Sequence, residues 1–243
     1  GALPESELPK DRDRWIDATG RLVTPGLVNA HTHIYSALAR GISLKDPPPT
    51  DFLETLERLW WRLDRALTIA DIDLSARLHG IECLKSGVTT IFDHHASQRA
   101  IRGSLETISG ALDDLGLRAC LCFEVSDREG PAAAAAGIEE NRSFVRDCAG
   151  SDGAMRRAKF GLHASFTLSD ETLRACAAGG GGGDGGFHVH IAEGTVDQKL
   201  SRERYGRGMA ERLKELGGLR KGTIAGHGVH LDDREIEILA ASG

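Results

Sequence analysis

His31 and His33 stand one residue apart at the end of the apolar run Gly26-Leu-Val-Asn-Ala-His-Thr-His33. A β-strand has a side-chain period of two, so both imidazoles point to the same side. Two imidazoles on one face of a strand end can close on a single divalent cation. Pro25-Gly26 punctuates the entry, and a polar turn follows. Further on, His190 precedes Glu193 by three residues, and His227 stands in Ala225-Gly-His-Gly-Val-His230. Neutral histidines leave a coordination position open for water, and a carboxylate just beyond a strand end can reach over a metal without ligating it. The chemistry suggested is the binding of a divalent metal at a strand end.

These groups need a scaffold that delivers them to one place. After His33, Ile34 to Gly41 reads as a short helix, and Pro47-Pro48-Pro49 interrupts regular structure. Leu53, Leu56, Leu59, Trp60 and Leu63 recur at helical spacing, which predicts an amphipathic helix over 51–65. Trp60 reads as a core anchor or as a wall for a substrate. Helices are expected from Ile69 to Ser86 and over 104–116, 131–148, 169–178 and 205–216, with a last one starting near Asp232. Strands are expected over 88–93, 117–125, 158–163, 187–192 and 222–227.

Strand and helix alternate about six times, which predicts a parallel sheet wrapped by helices. Most of these strands end in chemistry: His31 and His33, Asp93-His94-His95, His163, His190 and His227. In a (β/α)8 TIM barrel that C-terminal face is where the active site sits. A doubly wound sheet would carry a glycine fingerprint in its first βα turn, which this sequence lacks. The expected fold is therefore an α/β barrel of (β/α)8 type, cut short, over residues 26–243. Residues 1–25 are read as a turn, one short strand and the remnant of a small β-sandwich with its linker. The glycine run 179–186 precedes a strand, so it reads as a flexible loop and not as a phosphate cradle.

Bulk properties narrow the function. The 243 residues are 27% charged and 40% hydrophobic, an ordinary globular composition. A net charge of −6 without basic runs argues against nucleic acid as a partner. No apolar run approaches the ~20 residues of a membrane span. The polar start suggests no signal peptide, and five cysteines in no disulfide or zinc-finger spacing suggest reduced thiols, so a cytoplasmic location is expected.

Pro25-Gly-Leu-Val-Asn-Ala-His31-Thr-His33, His190-Ile-Ala-Glu193 and Ala225-Gly-His227-Gly-Val-His230-Leu resemble the amidohydrolase superfamily. The branch is that of the metal-dependent aminohydrolases, with atrazine chlorohydrolase and the cytosine, guanine and methylthioadenosine deaminases. Leu59-Trp-Trp-Arg-Leu-Asp-Arg-Ala66, Asp93-His-His-Ala-Ser97 and Cys122-Phe-Glu124 are similar more narrowly to aminohydrolases of SsnA type.

The resemblance implies that His31, His33 and His190 ligate one divalent metal, zinc before iron. It makes Glu193 the proton shuttle and His227 the group that holds the attacking water or polarises the substrate. His163 matches a substrate-touching position, and His94 and Trp60 are further candidates for substrate contact. His188 shares a face with His190 but lies deeper, as a barrel-filling or supporting residue. A second metal bridged by a lysine is not expected, because Lys159 stands at the wrong end of its strand. The family's aspartate ligand of strand 8 has no counterpart before Gly243.

The implied reaction is deamination of a purine- or pyrimidine-like heterocycle. Dechlorination or cyclic-amide hydrolysis by the same site is the alternative, as is an inactive metal-binding module. The partner would be a small molecule, with a homodimer left open.

Overall fold

The computed structural model describes residues 16–150, 155–180 and 185–243. Strands β1 (Leu27–Thr32), β2 (Val88–His95), β3 (Arg118–Phe123) and β4 (Arg156–Ala158) pair in that order, all parallel. Strands β5 (Phe160–Ala164), β6 (Phe187–Ile191) and β7 (Ile224–His227) form a second parallel set. The helices between them are α3 (Ile69–Lys85), α4 (Ser104–Asp114), α5 (Pro131–Ala149), α6 (Asp170–Gly180), α7 (Thr195–Tyr205) and α8 (Met209–Glu215), and α9 (Asp233–Ala240) follows β7. This is the expected parallel α/β wall, with helices between consecutive strands everywhere except between β4 and β5.

The expected single strand over 158–163 is two strands, split at Lys159. The reason is Asn141 on α5. Its Oδ1 accepts from the amides of Phe123 (2.9 Å) and Gly161 (3.2 Å), and its Nδ2 donates to the Phe123 carbonyl at 2.8 Å. A side chain thus stands in for one rung of the ladder between β3 and β5. Beyond it backbone pairing resumes in the parallel bridge of Val125 with Leu162. Gly161 is required here, because a Cβ would run into the Phe123 carbonyl.

Helix 51–65 is realised as α1 (Phe52–Thr55), a π turn (Leu56–Trp60) and α2 (Trp61–Ala66). Asp51 caps it by accepting from the Glu54 amide at 2.8 Å. The π turn leaves both Trp60 and Trp61 facing the cavity described below. Thr68 and Asp71 form a reciprocal capping box on α3, as do Asp232 and Glu235 on α9.

Three sequence expectations need correction. Residues 34–39 form a 3-10 helix in place of an α-helix. The stretch before α8 holds a separate helix, α7, ended by Gly206 at φ +66°, where one helix starting at 205 was expected. A left-handed C-cap glycine separates the two. Residues 16–26 contain a turn but no strand. The β-sandwich remnant over 1–25 falls mostly outside the described residues, and so does the centre of the glycine run, 181–184.

Two apolar cores hold the wall to its helices. One joins β2 and β3 to α3, α4 and α5 through Ile72, Ile91, Leu105, Ile108, Leu112, Phe123 and Phe144. The other joins β5 and β6 to α6 and α8 through Phe160, Phe187, Val189, Leu173 and Leu213. Leu74, Leu78, Ile81 and Leu84 on α3 are exposed, as are Leu27 and Val28 on β1. Among the described residues no helix is long and apolar enough to cross a membrane.

Candidate active site

The C-terminal ends of the strands converge on a cavity of about 300 Å³. Its polar wall is His31, His33, Glu124, His163, His190, Glu193 and His227. Its apolar wall is Tyr35, Phe52, Leu56, Trp60 and Trp61. Every candidate site residue named from the sequence lines this cavity except His94, which lies beneath it and is fully buried. Trp60 packs on the core and also lines the cavity.

Each imidazole of the expected metal site is anchored through Nδ1. That of His33 donates to the His94 carbonyl at 2.7 Å, and that of His190 to the His163 carbonyl at 2.9 Å. A carbonyl only accepts, so each Nδ1 carries the proton and each Nε2 is free to ligate. Their Nε2 atoms lie 3.1 Å apart. His31 Nδ1 is 2.7 Å from His188 Nε2, and His31 Nε2 is buried with no partner. An orphaned ring nitrogen on a histidine grouped with His190 and His227 fits a metal ion, because burial without a partner is otherwise unfavourable.

Among the described residues, two overlapping groups have ligand atoms all within 4.8 Å of one another, His31 with His190 and His227, and His33 with His94, Glu124 and His190, so the expected set of His31, His33 and His190 is not itself one group. His190 is common to both.

Burial keeps these rings neutral. It lowers His31 to about 3, His33 to about 4 and His163 to about 4, and takes His190 well below the usual imidazole range. Neutral imidazole is the ligating form. Burial pushes Glu193 up to about 7, with the charges of Glu124 and Asp197 adding to it. A carboxyl poised there can both accept and give a proton near neutrality. His227 Nε2 lies 3.4 Å from Glu193 Oε2. Ala192 and His227, at the ends of β6 and β7, have positive φ of 50° and 73°. Such conformations in non-glycine residues concentrate at functional sites.

Glu124 was not singled out from the sequence, although it stands at the end of the expected strand 117–125. The rule that found the histidines, polar groups at C-terminal strand ends, also covers it. Its carboxylate lies 3.4 Å from His94 Nδ1, 3.5 Å from His163 Nε2 and 3.4 Å from Arg128 Nη2. Although burial alone would raise it, the neighbouring histidines and Arg128 hold it well below the usual carboxylate range. Arg128 in turn pairs with Asp64 at 2.7 Å and lies over the Trp61 ring.

His94 and His95 diverge, as adjacent strand residues must. His94 turns to Glu124, while His95 bonds Ser97 Oγ at 2.9 Å on the other side. Lys159 sits at the far end of the sheet, donating to the carbonyls of Gly222 and Gly185.

A sequence profile of the amidohydrolase family matches residues 22–243. The chain belongs to the amidohydrolase family. It is 34% identical to a 5-methylthioadenosine/S-adenosylhomocysteine deaminase of Desulforudis audaxviator, over 100% of this chain and 53% of that protein. It is 32% identical to a 5'-deoxyadenosine deaminase of Methanothermobacter thermautotrophicus, over 96% of this chain and 52% of that protein. The chain thus spans about half the length of the curated relatives it matches.

Solved structures share the fold. An atrazine chlorohydrolase variant from Arthrobacter aurescens TC1, complexed with zinc and atraton, superposes with a TM-score of 0.76 at 22% identity, covering 90% of this chain and 52% of that one. A zinc-bound adenosine deaminase from Xanthomonas campestris gives a TM-score of 0.71 at 23% identity, over 90% and 48%. The expected (β/α)8 amidohydrolase fold is therefore shown, and this chain carries the part from β1 to β7.

Proposed function

We propose that this amidohydrolase chain is the metal-binding part of a hydrolytic deaminase acting on an aminated, adenosine-like heterocycle. What supports the reading is that His33 and His190, each with Nδ1 tied to a carbonyl, bring their Nε2 atoms to 3.1 Å, while His31 joins His190 and His227 within 4.8 Å. These three residues would hold one zinc ion, which when bound supplies Lewis-acid activation of a water molecule.

The chain's own groups do the rest. Glu193 would take one proton from the attacking water and pass it to the ring nitrogen, then take the proton of the hydroxyl added to the ring carbon and pass it to the amine, so that the C–N bond breaks and ammonia leaves as the carbonyl forms. His227, 3.4 Å from Glu193, orients the water and holds developing charge at the ring carbon. His163 touches the ring, with Trp60, Trp61 and Phe52 as flat apolar walls that exclude water. Names of relatives favour deamination over dechlorination, since those noted above are deaminases of adenosine derivatives. We place the protein in the cytoplasm, on the strength of the free buried thiols of Cys83, Cys120, Cys122 and Cys176.

The test is ammonia release from 5'-methylthioadenosine, S-adenosylhomocysteine and 5'-deoxyadenosine by the zinc-loaded protein. Release that disappears in Glu193→Gln with zinc retained supports the reading. No release from any of these substrates, or undiminished release by the variant, overturns it.

A further inference from the structure

His94 is the buried imidazole that this reaction leaves unused. Its Nε2 is 3.1 Å from the carbonyls of both Leu162 and His188, so Nε2 carries the proton. Its Nδ1 is buried without a hydrogen-bond partner and faces Glu124 Oε2 at 3.4 Å. A lone pair held against a carboxylate is repulsive unless a positive charge is shared between them. On the same side stand His33 Nε2 and His190 Nε2, 3.1 Å apart. One ligand atom from each of the four residues lies within 4.8 Å of all the others. Ligands at about 2.0–2.1 Å from a tetrahedral ion are about 3.3 Å from one another. The pairs His33–His190 and His94–Glu124 are already at that spacing.

We propose that His33, His94, Glu124 and His190 form a second position for a divalent transition-metal ion, alternative to the open position beside His31. Three imidazoles and one carboxylate select zinc or cobalt and not magnesium or calcium. His33 and His190 each have one free lone pair, so the two positions cannot be filled together. The ion moves between them. In the open position, with His31, it keeps a place for water. In the buried position four protein ligands close its shell, and it is withdrawn from Glu193. Excess access to the buried position would store metal in an inactive form. The proposal rests on the reading that His33 and His190 ligate metal.

Cobalt titration of the apo-protein, read by visible absorption with and without azide, tests it. His31→Ala is expected to keep about one equivalent of cobalt, with a spectrum that azide does not change, because a closed shell has no place for it. His31→Ala/His94→Ala is expected to bind at least about 100-fold more weakly. Equal affinity of the single and double variants overturns the proposal. If His31→Ala does not fold by circular dichroism, the wild type and Glu124→Gln decide. Azide is expected to shift the wild-type spectrum only in part and that of Glu124→Gln fully. Identical azide responses overturn the buried position while leaving the open one standing. Failure of the wild type to bind cobalt at all overturns both this proposal and the function it rests on.

Discussion

His31 Nδ1 and His188 Nε2 lie 2.7 Å apart, across the gap between β1 and β6. Their hydrogen bond leaves His31 Nε2 buried without a partner on a ring that lines the site. A residue two places before His190 on the same strand face thus orients a ligand on the other side of the wall. His188→Ala should weaken zinc binding roughly 10–100-fold, as loss of an orienting partner does. Competition with a chromophoric chelator measures this. Unchanged affinity would reduce His188 to a space-filling residue.

Glu193→Gln should keep the zinc content of the wild type and lower kcat by ~10²–10⁴-fold, the usual range for a lost acid–base group. The carboxamide is isosteric and cannot carry the proton. Elemental analysis and ammonia release on the same preparation separate the two effects.

Asn141→Ala should destabilise the chain by about 2–4 kcal/mol, because it strands the buried amides of Phe123 and Gly161 and the Phe123 carbonyl together. The midpoint of urea unfolding reads it out. A shift within error would mean that solvent or backbone takes over these groups.

Asp197 accepts from the Ala192 amide at 3.0 Å, and burial pushes its carboxyl up to about 7. Between pH ~4 and ~7 the folded chain holds a proton that the unfolded chain has released. Its contribution therefore falls as pH rises through that window, by up to about 1.4 kcal/mol per pH unit. The difference in unfolding free energy between wild type and Asp197→Asn should decline from pH 4 to pH 7 and level off above. A flat difference would show that the side chain is ionised in the native state.

Much of this molecule is readable from residue order alone. The alternation of β-branched runs with amphipathic runs sets a parallel wall, since each pattern can bury its apolar face only in its own period. The same period places His31 with His33, His188 with His190, and parts His94 from His95. Polar residues at strand ends mark the mouth where all of them gather. What only the tertiary structure decided is where each lone pair points. That depends on carbonyls from other strands: His94 for His33, His163 for His190, and Leu162 and His188 for His94. It therefore took the folded wall to split the His-x-His pair between two groups that share His190, and to bring Glu124 into one of them. The break between β4 and β5 is of the same kind. Asn141 sits inside a helix by its own local pattern, and only the approach of α5 to β3 turns its amide into a rung of the sheet. Periodicity is a property of neighbours along the chain; hydrogen-bond direction is a property of neighbours in space.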